Sequence, residues 1–210
     1  FVGRKTVTGW ISKFGKKPFP GNPVFLSIFV RAGRSFAGRL ISKNVEKTDF
    51  DPNAPGVNNG RYFGLPFTPE QARLVLMSVP WDVTTSYREG TAGGPDAILD
   101  ASLQVDLYDL HNPDGWRQGI GTLPVGDTLE LRGKKLREEA RRVIEHWESG
   151  GTAGESVRRR IARVNEGSAK LNAEVYDEAC RWLDAGKKVG LVGGDHSVPH
   201  GLIRAVAERN

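Results

Sequence analysis

Val189-Gly190-Leu191-Val192-Gly193-Gly194-Asp195-His196-Ser197 is an apolar run that stops in two glycines and three polar residues. It is short, and it follows Gly186-Lys187-Lys188, so it reads as a buried strand. Two glycines let the chain turn sharply at a sheet edge and let another group approach the backbone closely. Asp195, His196 and Ser197 then stand on the rim of the crevice beyond that strand. A neutral imidazole is a common ligand for divalent transition metals. Asp195 is suited to orient a neighbouring ligand or to cap the following helix. A structural turn with a hydrogen-bonded histidine is the plainer alternative.

Upstream, Leu74-Val75-Leu76-Met77-Ser78-Val79 predicts a second strand, covered on both faces. Thr68-Pro69-Glu70-Gln71 predicts one short helical turn before it, with Thr68 as cap and Gln71 closing a capping box. A polar loop, residues 81–94, follows the strand, and Pro95 is expected at the first position of a helix with Asp96 in its first turn. Gln104–Asp109 reads as a short alternating strand or an extended run, and Ile120–Val125 as another short strand. Residues 134–185 are largely helical in pattern: Leu136, Ala140, Val143, Ile144 and Trp147 share one face, and Gly150-Gly151 ends that helix. A second stripe runs from Val157 through Leu171, Val175 and Ala179 to Trp182, with Gly186 just past its end and Gly167 expected to interrupt or kink it. A last helix opens near Pro199. Strands alternating with helices imply a parallel sheet with helices on both faces, whose ligands bind beyond the carboxyl ends of the strands. The 81–94 loop and Gly193–Ser197 both fall there.

The 210 residues suffice for one domain with a sizeable core. The net charge of +5 is unevenly spread. Residues 1–47 carry ten Lys or Arg against the single acid Glu46, so the remainder is mildly acidic and has no electrostatic footprint for nucleic acid. No apolar run approaches the roughly 18 residues of a membrane span. Cys180, the only cysteine, cannot form an internal disulfide, lies within a helical pattern and is read as a packing residue. The 1–47 leader begins with Phe1 rather than Met and is Arg-rich, Ser-containing and acid-poor. It reads as a disordered or non-native extension, with a transit segment and a nucleic-acid or membrane-surface arm as the competing readings. Cytoplasm is the expected location, or an organelle if the leader is a transit segment.

The remaining histidines add little. His111 lies in a turn-like stretch, His146 on a helix, and His200 shares a face with His196 only if the helix has already begun. His-Glu-x-x-His, Cys-x-x-Cys, Gly-x-Ser-x-Gly and phosphate-binding glycine patterns are absent. The cluster Arg158, Arg159, Arg160 and Arg163 reads as a solvated helix face.

Residues 50–210 resemble the ureohydrolase (arginase/agmatinase) family. Val79-Pro80-Trp81-Asp82 with Thr84-Thr85-Ser86-Tyr87-Arg88 and Gly90-Thr91 is similar to the family's first strand and loop. Gly94-Pro95-Asp96-Ala97-Ile98 resembles its helix start, and Gly193–Ser197 matches its first metal-ligand motif. The resemblance implies a three-layer αβα fold with a mostly parallel sheet, incomplete at the C-terminus of residues 48–210. It implies hydrolysis of a small guanidino substrate, releasing urea, at a binuclear centre of Mn2+, or alternatively Ni2+. His196 is the one metal ligand it assigns here; Asp195 carries over only as part of the motif, and Thr85 and Arg88 receive no catalytic role. The Asp-x-His-x-Asp motif and the later Asp-x-Asp pair are absent, so their residues are expected beyond Asn210, and these 210 residues alone are expected to bind metal weakly without turnover. The longer, more helical 126–170 region favours an agmatinase-like or nickel-dependent guanidine-hydrolase-like subgroup. A homo-oligomer, trimer or hexamer, is implied for the full-length protein, with no nucleic-acid or membrane partner. An inactive, interaction-only relative is the alternative of another class.

Overall fold

A computed structural model describes residues 50–209; the leader of residues 1–47 lies outside the described residues. Three strands pair in parallel in the order β2-β1-β3: β1 (Leu74–Val79), β2 (Ile120–Leu123) and β3 (Lys188–Gly193). Four α-helices accompany them: α1 (Gly94–Ser102), α2 (Asp127–Glu148), α3 (Glu155–Asp184) and α4 (His200–Ala207). Alternation along central β1 sends Val75, Met77 and Val79 into buried positions and leaves the intervening residues half-buried. Met77 and Val79 pack with Ala140 of α2, Val175 and Ala179 of α3 and Ala205 of α4. The opposite face carries Ser78, whose hydroxyl lies 2.8 Å from that of Tyr62. Tyr62 also donates to the Pro95 carbonyl of α1 at 3.4 Å. Helices therefore cover both faces of a parallel sheet, the three-layer arrangement expected from the pattern.

Local sequence accounts for most boundaries. Thr68-Pro69-Glu70-Gln71 makes a single turn closed by a reciprocal capping box: Gln71 Oε1 accepts from the Thr68 N–H at 3.0 Å, and Thr68 Oγ1 from the Gln71 N–H at 3.4 Å. Both long helices end at a left-handed glycine, Gly150 (φ 79°) and Gly186 (φ 75°). The next two N–H groups fold back in each case, as Gly150 to Trp147 (3.0 Å) with Gly151 to His146 (2.9 Å), and Gly186 to Leu183 (2.9 Å) with Lys187 to Trp182 (3.0 Å). Cys180 is a free thiol, partly buried against the core, in keeping with a packing role.

Three expectations change, and one alternative falls away. Gln104–Asp109 forms no strand: Gln104 and Val105 turn back onto α1 through Ala101 and Ser102 (3.2 and 3.3 Å), and Val105 and Tyr108 are exposed. Pro95 occupies the second helical position, because α1 opens at Gly94. α2 begins at Asp127 rather than near residue 134. Its first turns lack a clean apolar stripe because Gly133, which faces the Trp81 ring, brings no apolar side chain to the pattern. Gly167 does not interrupt α3, which is continuous for 30 residues. It is the point where α2 crosses: a Cβ there would lie 2.2 Å from Leu136 Cδ1.

Gly167→Ala therefore sets two effects against each other. Helix propensity favours Ala by about 1 kcal/mol, while overpacking the crossing costs about 1–3 kcal/mol. The atom met is the end of the Leu136 side chain, which can turn aside, so the cost lies at the low end and a net change within about 1 kcal/mol of zero is expected. In a Leu136→Ala background the clash is gone, and the same substitution should become stabilising. Denaturant midpoints across the four-variant cycle check this.

The arginine cluster is more engaged than a solvated face requires. Arg160 and Arg163 of α3 converge on Glu139 of α2 at 2.7 and 3.3 Å, and Arg159 pairs with Glu155. Among the described residues no helix is long and apolar enough to cross a membrane.

Candidate functional site

Parallel register sets the carboxyl ends of β1 and β3 side by side, with Val79 opposite Gly193. The pairing continues past the strands. The Gly194 N–H donates to the Val79 carbonyl (3.2 Å) and the Asp195 N–H to the Trp81 carbonyl (2.8 Å). Such closeness needs glycine: a Cβ on Gly194 would sit 2.0 Å from the Trp81 carbonyl oxygen, and one on Gly193 2.4 Å from Val198 Cγ2. Neither glycine has a positive φ, so close approach rather than an unusual dihedral demands them.

Asp195 then joins the two outgoing chains. It is 7% exposed. Its Oδ2 accepts from the Thr84 N–H (2.8 Å) and hydroxyl (2.7 Å), and its Oδ1 from the Ser197 N–H (2.9 Å) and hydroxyl (2.5 Å). Four donors satisfy a buried carboxylate without a counter-ion, through charge-assisted bonds. They also occupy both oxygens, so Asp195 acts as a staple and is not left open as a ligand. His196 follows in the turn so held, which is closed by Val198 N–H to Asp195 carbonyl (3.3 Å) and anchored by buried Val198. The His196 ring is exposed and has no hydrogen-bond partner among the described residues. α4 begins only at His200, so His196 and His200 do not share a helical face.

The loop after β1 lies beside this turn through Thr84. Asp82 organises it: its carbonyl accepts from the Thr85 hydroxyl (2.9 Å) and its carboxylate from the Gly90 N–H (2.8 Å), with Gly90 left-handed at φ 112°. Beneath, Trp81 is fully buried and carries Arg132 of α2 over its ring at 5.7 Å. Arg132 in turn pairs with Glu174 of α3 and holds the Glu174 carboxyl below the usual carboxylate range. Arg137 of α2 reaches the loop from the side: it donates to the carbonyls of Thr85 (2.5 Å) and Val83 (3.3 Å). A cavity of about 170 Å³ opens at the end of β1, with Asp82, Asp96, Glu130 and Lys134 in its wall. Lys134 pairs with Glu130 at 2.6 Å, so carboxylates outnumber cations there.

His196 is thus where the sequence puts it, on the carboxyl rim, and the 81–94 loop is at its side. Thr85 is tied into its own loop, and Arg88 is exposed. Among the described residues no three His, Cys, Asp or Glu side chains are grouped to hold a metal ion. The roles of Thr84 and Arg137 carry no local signal. The Asp195–Ser197 half of the staple does, since Asp two residues before Ser is the spacing of an Asx turn.

The glycine-dependent turn, the loop and the helix start of α1 all fall inside one match: residues 72–210 fit the model of the arginase family. The chain belongs to the arginase family. This arginase-family chain is similar to the N(1)-aminopropylagmatine ureohydrolase of Thermus thermophilus, 34% identical over 147 residues that cover 70% of this chain and 39% of the relative. It is also similar to that of Synechocystis sp., 28% identical over 135 residues (64% of this chain, 35% of the relative). A third relative of the same name, from Thermococcus kodakarensis, is 41% identical over 63 residues (30% and 20%). The chain spans less than half the length of the curated relatives it matches. No solved structure matches it significantly.

Proposed function

We propose that the whole protein is a metal-dependent ureohydrolase acting on a guanidino compound, with His196 as one metal ligand. The observation that carries this reading is the free, exposed imidazole of His196 on a turn that Asp195 staples to the loop after β1. The residues present fit a ligand role for His196 and not for Asp195. We assign the other ligands to the part of the relatives' length that this chain does not span. Metals held in part by His196 would lower the pKa of a water and so supply the strong nucleophile that a delocalised, weakly electrophilic guanidinium requires. Fixing the turn that carries His196 by a buried staple removes backbone freedom that would otherwise be lost on ligation. The carboxylate-rich cavity at the end of β1 favours a cationic substrate nearby.

The relatives' name favours a guanidino group carried on a polyamine chain, N(1)-aminopropylagmatine or agmatine, over free guanidine. Manganese is the first choice of metal and nickel the second. The test is urea release by the full-length protein, loaded with either metal, from N(1)-aminopropylagmatine, agmatine and guanidine. Urea from guanidine alone would move the substrate assignment, and urea from none of the three would sink the enzyme reading.

His196→Ala separates function from fold. The ring is exposed and makes no hydrogen bond or ion pair among the described residues, so unfolding should shift by no more than about 0.5 kcal/mol. Metal affinity of the full-length protein should fall by at least about tenfold to a hundredfold, the range for losing even an outer partner of a ligand. Metal content by mass spectrometry beside a denaturation curve gives both values.

A further inference from the structure

Arg137 projects from α2 toward the crevice loop, and its side chain is 12% exposed. One guanidinium amino group donates to two loop carbonyls, Thr85 (2.5 Å) and Val83 (3.3 Å). Its Nε lies 3.1 Å from Glu89 Oε1, close enough for ion pairing but too far off line for a hydrogen bond. Three loop positions, 83, 85 and 89, therefore meet a single side chain. Thr84, between the first two, is held from the other direction by Asp195. The remaining ties of the loop are internal: the Thr85 and Gly90 N–H groups donate to Asp82 at 3.3 and 2.8 Å. Tyr87, at the tip, is 92% exposed and packs on nothing that would hold the loop by apolar burial. Val83 at the root of the loop is buried in the core, and beyond that residue polar ties are what hold the loop.

We propose that Arg137 is a positioning residue, which fixes the 83–90 loop against α2 so that the side of the crevice facing His196 is formed before substrate arrives. A guanidinium suits this work. It is planar, presents several donors in a fixed fork and stays charged at every working pH. Bonds from a charged donor to carbonyls are stronger than neutral ones, and the carbonyls of an exposed loop otherwise face water. Without Arg137 the loop beyond buried Val83 retains only the Asp195 contact and its own Asp82 turn, and belongs to the low-stability end of the structure.

The test uses the full-length protein with Arg137→Met, Arg137→Lys, Arg137→Gln and Glu89→Gln. Amide hydrogen exchange at Thr84, Thr85 and Gly90 is the primary readout, and it needs no activity. Arg137→Met should speed exchange at these amides by about tenfold, the effect of losing one to two charge-assisted bonds, with β1 and α3 unchanged. Lys reaches one carbonyl but not both, so Arg137→Lys should fall between. Glu89→Gln should change exchange by less than about twofold, since an exposed pair contributes little. If Arg137→Met proves unfolded, the Lys and Gln variants carry the same comparison. Exchange equal to wild type in the folded Arg137 variants, or faster exchange spread evenly over β1 and α2, would overturn the proposal.

The kinetic arm rests on the ureohydrolase reading: Arg137→Met should raise KM by about tenfold with metal content unchanged and kcat within about twofold, the pattern of lost uniform binding. Fast loop exchange with no urea from the wild-type protein would sink the enzyme reading while leaving the clamp intact. An unchanged KM in an active enzyme would sink the clamp as a substrate-positioning device.

Discussion

Gly194→Ala is expected to lower stability by about 4 kcal/mol. An added Cβ would lie 2.0 Å from the Trp81 carbonyl oxygen, 2.7 Å from its carbon and 3.2 Å from the Thr91 carbonyl oxygen. All three are backbone atoms, so no rotamer change relieves the overlap. Relief requires the ends of β1 and β3 to part, which breaks the bonds from Gly194 to Val79 and from Asp195 to Trp81. Trp81 would have to move too, and its side chain is fully buried in the close-packed core beside α2. The displaced turn carries His196, so, on the ligand role proposed for it, metal affinity should fall together with stability, in contrast to His196→Ala. Gly154→Ala is the control: it faces open space at the start of α3, and losing a glycine cap there costs at most about 1 kcal/mol. Chemical denaturation of the full-length protein compares the two. Equal midpoints would show that the strand ends part easily and that the turn is not built on this contact.

Asp195→Ala should destabilise by about 3 kcal/mol. The substitution leaves the Thr84 and Ser197 N–H groups without their acceptor, and an unsatisfied buried donor costs about 1–3 kcal/mol. The two hydroxyls can rotate toward water, so they add less. Asp195→Asn keeps one acceptor oxygen and turns an amide NH2 toward donors on the other side, for a loss of about 2 kcal/mol. Beyond stability, both variants should speed amide exchange at Thr84 and weaken metal binding, because the turn carrying His196 loses its tie to the loop. A stable Asp195→Ala protein with unchanged exchange at Thr84 would mean that the staple is a consequence of the fold and not one of its supports.

These two positions mark how differently the sequence speaks about fold and site. The Gly193-Gly194 pair is legible as a place where something must come close, but not what comes. That partner is the Trp81 carbonyl, and only the parallel register of β1 and β3 brings it there. Ser197 can be tied to Asp195 from spacing alone, whereas Thr84 is 111 residues away and reaches the same carboxylate only across the sheet. Gly167 misled because a glycine within a helical pattern signals a break when nothing is known of its neighbour. Here it marks a helix crossing against Leu136. The start of α2 was hidden for a related reason: Gly133 faces the Trp81 ring without a side chain and weakens the periodicity that announces a helix.

By itself the sequence determined the element types, the parallel αβα arrangement, the family and the position of His196 on the carboxyl rim. Those follow from short-range causes: apolar periodicity, caps, glycine ends and a motif whose residues are neighbours in the chain. The tertiary structure alone decided that Asp195 is a staple rather than a ligand, that Thr84 and Arg137 hold the crevice loop from two directions, and that two glycines in or beside the helices are contact points. Each of these depends on a backbone carbonyl or a side chain far away in sequence. Hydrogen bonds and steric limits act over a few ångströms, and only folding brings those groups within that range.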